Sequence, residues 1–209
     1  KSQLSMRAAR RRERRRWAWN VVHVPASLAA ACACSQLSAD CLRYSVELVE
    51  IPCQWSAPSP LAINENGQIA GYVGCRVGDN DGFYWDGRAS VMLPSGTTAT
   101  DARALGVSDF GDVVGWTVPP NLGPRQAFIY ADGIVSYLPP SPGDDYAEAN
   151  AVEGRAPTRA VGFSQSPSPN FAKNAVVWID GIPEVLRLPR GPNRAANDIN
   201  AVGTICGWM

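Results

Sequence analysis

Histidine is almost missing from this chain: there is one, His23, and it lies within the first thirty residues. The rest of the chain therefore has no imidazole for a Ser-His-Asp or Cys-His relay, nor for a histidine-held metal. Long apolar runs are also missing. The longest candidate, Trp17 to Ala31, is broken by Asn20, His23 and Pro25 and falls short of a membrane-spanning helix. Sustained helical periodicity is lacking after those residues. A surplus of one charge sign is lacking only on average, since Lys plus Arg and Asp plus Glu both number 19. Seven of the 17 arginines crowd between Arg7 and Arg16. From Ser35 onward, 11 basic residues face 18 acidic ones, a net of −7. An acidic body of this kind disfavours a phosphate backbone as partner.

Glycine (19) and proline (17) are plentiful, and they punctuate a repeat. The stretch Ala62-Ile63-Asn64-Glu65-Asn66-Gly67-Gln68-Ile69-Ala70-Gly71-Tyr72 returns in altered form as Ala104 to Trp116. It returns again, with an insertion, from Ala149 to Phe163, and last from Asn197 to Trp208. The second glycine of each copy falls at Gly71, Gly115, Gly162 and Gly207, giving steps of 44, 47 and 45. A fixed period in this range marks a repeat architecture.

Each copy is followed by an aromatic strand ending in Asp-Gly: Trp85 with Asp86, Tyr130 with Asp132, Trp178 with Asp180. A short run then closes on Leu-Pro. Each unit thus holds four strand-length apolar pieces, and Asp-Gly between the last two is a hairpin signal. Gly67 and Gly111, after Asn64 and Ser108, suit a turn that needs positive φ. Four strands in about 45 residues is the size of one propeller blade. The fold class expected is all-β, a partial β-propeller with repeats at 59–94, 101–139, 147–189 and 194–209. Three are complete and the fourth is cut short.

Ahead of the repeats, an arginine-rich segment starting at Met6, a short apolar segment and the small-residue sites Ala29-x-Ala31 and Ala31-x-Ala33 describe a secretory signal. Residues 1–34 are read as upstream residues and that signal, and 40–209 as the repeat domain. A basic nucleic-acid arm is the rival reading of the arginines. Cys32 is a candidate lipid anchor, the one membrane attachment expected. The strand Tyr44 to Pro52 matches the fourth piece of a repeat and is a candidate closure strand, since an open sheet edge invites aggregation. The stop after Trp208-Met209 is read as truncation. Export favours disulfides, with Cys41–Cys53 the preferred pair.

At Ala62, Ile63, Asn64, Gly67 and Gly71, and again at Ala127, Phe128, Tyr130, Asp132 and Gly133, the sequence resembles the HAF-repeat family of secreted bacterial proteins. Tyr44, Val46 and Leu48 extend the resemblance, which covers residues 44–209. The chain departs from the family pattern in the padded turn Glu153 to Arg159 and in closing on Leu-Pro instead of Leu-Gly. The resemblance implies an exported, propeller-like protein of the secreted, periplasmic or cell-surface space, and it brings no catalytic residues.

The chemistry-bearing residues are weighed accordingly. Asp86, Asp132 and Asp180 recur at one turn position, which assigns them to the turn and not to one active site. Trp85, Tyr130 and Trp178 read as packing between sheets. Gly78 to Gly82 has calcium-like residues but reads as an ordinary turn. Tyr72, Trp116, Phe163 and Trp208, each one residue past the second glycine, are the candidate ligand-facing aromatics. The expected function is a non-catalytic binding or scaffold module for an extracellular protein or polysaccharide, with no cofactor, metal or nucleic acid. A carbohydrate-active propeller enzyme using Asp or Glu is the alternative.

Overall fold

Glycine, asparagine and aspartate divide the chain into short extended pieces, and each group of four pieces pairs into its own sheet. The computed structural model describes residues 19–23, 45–52, 57–76, 79–93, 101–119, 123–154, 156–187 and 193–209. Among them there are sixteen strands and no helix. Strands β1 (Trp19–His23) and β2 (Ser45–Val49) form an antiparallel pair. The first four-stranded sheet contains β3 (Ser59–Ile63), β4 (Ile69–Arg76), β5 (Asp79–Trp85) and β6 (Ser90–Leu93). The second contains β7 (Asp101–Val107), β8 (Val113–Val118), β9 (Gln126–Ala131) and β10 (Ile134–Leu138). The third contains β11 (Tyr146–Glu153), β12 (Arg159–Gln165), β13 (Lys173–Ile179) and β14 (Ile182–Val185), and β15 (Ala195–Ile199) pairs with β16 (Ile205–Trp208). Every four-stranded sheet is an antiparallel meander, in keeping with the all-β expectation.

The sheets pack face to face in chain order. The first strand of each sheet leans on the sheet before it: β7 on β4 and β5, β11 on β8, and β15 on β12. Small residues permit this approach, and Ala102, Ala104, Ala147, Ala149, Ala195 and Ala196 are all buried. The third strands fill both faces. In β13, Val176 and Trp178 join a cluster with Val114 and Leu138 of the second sheet, whereas Ala175 and Val177 pack with Ala196 and Ile199. Burial on both faces explains why β8, β12 and β13 read as continuous apolar runs instead of alternating.

Every first strand carries a β-bulge at the same place, with a register shift between Pro60 and Ala62, Ala104 and Gly106, Ala149 and Ala151, and Ala196 and Asp198. The residue just before each bulge pairs with the second glycine of its repeat: Pro60 with Gly71, Ala104 with Gly115, Ala149 with Gly162, and Ala196 with Gly207. A Cβ on any of these glycines would run into a backbone carbonyl of the bulged strand, that of Ser59, Arg103, Glu148 or Ala195. The repeated glycine therefore answers to sheet geometry: the bulge brings one strand's backbone over the other's Cα.

The turn between first and second strands is tied by its first polar residue. Asn64 Oδ1 accepts the Asn66 and Gln68 amides at 3.1 and 2.9 Å, while its Nδ2 donates to the Ser108 carbonyl of the next sheet at 2.7 Å. Ser108 Oγ accepts the Phe110 and Asp112 amides, and Asn200 Oδ1 accepts the Thr204 amide. Gly67 and Gly111 sit at φ 76° and 83°, as the turn demands. Asn64→Ala should cost about 1–2 kcal/mol, because several turn and inter-sheet bonds are lost together; denaturant unfolding of the variant checks it. Asn64→Asp, which keeps the acceptor and loses the donor, should fall between Asn64→Ala and the unsubstituted protein.

Two details differ from expectation. Asp132 and Asp180, at φ 50° and 49°, form two-residue hairpin turns with the glycines that follow, but Asp86 opens a four-residue turn and accepts the Arg88 and Ala89 amides. Asp79 to Gly82 belong to β5 and not to a turn, because β4 runs on to Arg76 and supplies them with partners. Among the described residues β2 pairs with β1, and Val49 packs on the Ile69, Phe83 and Trp85 face of the first sheet.

Tyr84 is packed between the first two sheets with Phe128 and Ala104. Burial pushes its hydroxyl from 10.0 up to about 12, with the charges of Asp86, Tyr130 and Asp112 adding to the effect. The folded state thus holds this proton more tightly than the unfolded state does. Its contribution to stability is constant below about pH 10 and is lost as pH rises to about 12. Alkaline unfolding followed by circular dichroism should show this loss, and Tyr84→Phe should flatten it.

Candidate functional site

The bulge fixes more than the glycines. Tyr72, Trp116, Phe163 and Trp208 each follow the second glycine by one residue, so they stand at one register position on β4, β8, β12 and β16. Three of them belong to a ladder of alternating rings and cations that crosses three sheets. The Arg103 guanidinium lies 4.5 Å from the Tyr72 ring centroid and 5.3 Å from that of Trp116. Arg125 covers Trp116 from 3.7 Å and reaches toward the Tyr146 ring at 5.8 Å. Tyr146 stacks on Phe163 with centroids 5.8 Å apart and planes 22° from parallel, and Lys173 Nζ stands 4.3 Å from the Phe163 centroid. Each cation–ring contact is worth roughly 0.5–2 kcal/mol, depending on its desolvation.

The two guanidiniums differ in how they are neutralised. Arg125 forms an ion pair with Glu148 and donates to the Tyr146 oxygen at 2.9 Å, and the Tyr146 hydroxyl donates to the same carboxylate. Burial alone would lower the Arg125 pKa, but the hydrogen bond to Glu148 and the nearby oxygens outweigh it and the pKa is raised. Burial, with the Glu148 contact adding, also raises the Tyr146 hydroxyl. Arg103 has no such partner. Its Nε is buried without a hydrogen bond, and no carboxylate among the described residues pairs with it. Two rings hold its planar fork in place.

This arrangement corrects the expectation for two of the four aromatics. Trp116 is 2% exposed and Phe163 6%, their faces covered by Arg125 and by Tyr146 with Lys173, so neither offers a surface to a sugar ring. Tyr72 is half-buried beneath Arg103. Trp208 is 47% exposed and borders an apolar groove with Leu186 and Ala196.

The second set of aromatics lies inside the sheet stack. Trp85 packs with Val49 and Ile69, and Tyr130 meets Tyr84 with centroids 5.8 Å apart. Trp178 is 1% exposed and donates its indole N–H to the Pro139 carbonyl of the sheet before it, at 2.7 Å. Asp86, Asp132 and Asp180 each serve a separate hairpin. Backbone hydrogen bonds from Ala89 and Arg88 hold the Asp86 carboxyl below its ordinary range, and Asp180 accepts the Thr158 amide at 3.0 Å. The repeated acids are thus not gathered into one carboxylate pair of the kind glycoside hydrolysis uses.

Among the described residues, no group of three His, Cys, Asp or Glu side chains could hold a metal. Cys206 is a free, exposed thiol, and Cys75 is disulfide-bonded to a partner outside the described residues. Cys32, Cys41 and Cys53, with the anchor and pairing expected of them, also lie outside those residues.

Sequence reasoning missed the cations of the ladder. A positional signal was present: Arg125 and Lys173 each stand two residues before the alanine of a third strand, Ala127 and Ala175. Arg103 and Glu148 each precede the alanine opposite a second glycine. A scan against protein-family models and a search of curated proteins both return no match to this chain.

Proposed function

We propose that this chain is part of an exported, propeller-like repeat protein of the HAF-repeat kind, acting as a non-catalytic binding module. Its ligand contact is the ladder edge at Arg103. The supporting observation is the contrast between the two guanidiniums. Arg125 is neutralised by Glu148, whereas Arg103 is held between Tyr72 and Trp116 with no carboxylate paired to it among the described residues. A planar fork fixed in this way is preorganised for a carboxylate, which it grips through two parallel N–H bonds. The body's negative charge argues against dense polyanions, so the ligand is a polysaccharide carrying spaced carboxylates beside neutral sugars. The sheets supply the frame: their order, with each first strand lying on the preceding sheet, suits successive blades of a propeller.

The test is titration calorimetry of the full chain with an acidic polysaccharide whose carboxylates alternate with neutral sugars, hyaluronan, and with neutral dextran. Binding to the acidic polymer alone is expected, weakened roughly tenfold or more in Arg103→Gln, since losing a charge-assisted pair costs about 1.5–3 kcal/mol. It should be unchanged in Arg88→Gln, a substitution at an exposed turn residue. Equal binding of both polymers, or no difference between the variants, would overturn the reading.

A further inference from the structure

The ladder holds a second open cation. Lys173 Nζ stands 4.3 Å from the Phe163 centroid, and no carboxylate among the described residues pairs with it. Its backbone is held from both sides. Lys173 pairs with Gln165 of β12, its amide donates to Asn193 Oδ1 at 3.3 Å, and its carbonyl accepts the Arg194 amide at 3.1 Å. By charge the ladder therefore reads as open, neutralised, open: Arg103, then Arg125 with Glu148, then Lys173. Trp116, Arg125, Tyr146 and Phe163 stand between the two open cations, so one carboxylate cannot serve both.

The loop that leads into Lys173 carries a backbone outlier. Phe171 adopts φ 45°, a left-handed conformation that bulky side chains avoid, and it is 55% exposed. The base of the loop is tied by Ser166, whose amide and hydroxyl both donate to the Ala172 carbonyl, at 3.0 and 3.2 Å. Glycine or asparagine would sit at position 171 with less strain. Burial does not repay the phenylalanine, since more than half of it faces solvent. Strain of this kind gathers at ligand contacts.

We propose that Lys173 and Phe171 form a second subsite for the same acidic polysaccharide. Lys173 takes a second carboxylate of the chain, and the Phe171 ring offers an apolar face to the C–H side of the neutral sugar beside it. This subsite presupposes that Arg103 grips the first carboxylate, the reading proposed above. It adds a spacing rule to that reading. The two carboxylates are separated by neutral sugar passing the Arg125–Glu148 pair, where a further negative charge would meet no open cation. Two subsites for one chain act through effective concentration, so affinity climbs steeply once an oligosaccharide reaches both.

The experiment is titration calorimetry of the full chain with hyaluronan oligosaccharides of increasing length, from the disaccharide upward. The disaccharide has one carboxylate and fills one subsite. The unsubstituted protein should gain roughly tenfold or more in affinity at the length that first spans both. Lys173→Gln and Phe171→Asn should each flatten that step, and Arg103→Gln should weaken binding at every length. Thermal melts separate ligand contact from folding: Phe171→Asn should melt no lower than the unsubstituted protein, because asparagine tolerates the left-handed backbone. A step that survives both Lys173→Gln and Phe171→Asn while Arg103→Gln still weakens binding overturns the second subsite and leaves the Arg103 reading standing. So does an unsubstituted protein whose affinity shows no step with length. A lower melting temperature for Phe171→Asn would mean that the ring holds the loop in place, and it overturns the part given to Phe171. Binding that Arg103→Gln leaves unchanged at every length overturns both readings.

Discussion

Gly115→Ala should destabilise the protein by roughly 3–4 kcal/mol, although it adds a single methyl group. The Cβ has nowhere to go. It would overlap the Arg103 carbonyl and approach the Arg103 carbonyl carbon and the Ala104 Cα to 2.9 and 3.0 Å, all of them backbone atoms. A side chain could rotate away, but a strand held by its ladder and by the sheet beneath cannot. Relief requires moving β7 away from β8, which opens the cluster that β7 forms with Tyr84 and Phe128. In a domain of this size each kcal/mol lowers Tm by about 2–4 °C, so the loss should be near 10 °C in a thermal melt. Gly133→Ala is the control. Nothing lies within 4 Å of its Cβ, and its φ of 82° makes the cost conformational, about 1 kcal/mol. If the two substitutions cost the same, the close approach of the bulged strand is not what selects glycine at position 115.

That contrast shows what the sequence made legible. Turn residues act locally, so the strand boundaries, the positive-φ glycines after Asn64 and Ser108 and the hairpins at Asp132 and Asp180 followed from neighbouring residue types. The bulge did not, because the inserted residue is Leu61, Leu105, Asn150 or Asn197, and no side-chain preference unites them. Its only trace was the glycine on the opposite strand, whose reason lies in the partner's backbone. The ladder was hidden for a related cause. Trp116 and Trp208 sit in near-identical local sequences, Val-Gly-Trp and Cys-Gly-Trp, yet one is buried and the other half exposed. What separates them is the surroundings, since Arg125 closes over Trp116 and is itself held by Tyr146 and Glu148, all from positions 9 to 32 residues further along the chain. A repeat fixes where a side chain stands and leaves to the adjacent sheet whether it is covered.

Trp178→Ala carries the same logic to the contact between sheets, and it should cost about 3–5 kcal/mol. The indole is the largest fully buried side chain among the described residues, and it lies in a cluster that joins Val114 and Leu138 of one sheet to Ala147 and Ala160 of the next. Its removal leaves a cavity in that cluster, where the short side chains of Ala127, Ala147, Ala149 and Ala160 cannot collapse into the space and Leu138 and the valines can fill only part of it. The Pro139 carbonyl also loses the N–H that approaches it at 2.7 Å. Trp178→Phe separates the two effects: it keeps most of the apolar volume and deletes the donor, so it should cost about 1–2 kcal/mol. Urea unfolding measures both variants, and an unchanged m-value would show that each acts on the folded state alone. A fall in m for Trp178→Ala would mean that the third sheet comes away from the second before the rest unfolds. The indole would then be the clamp between neighbouring sheets, and Tyr130, at the same phase one sheet earlier, should behave likewise when replaced by alanine.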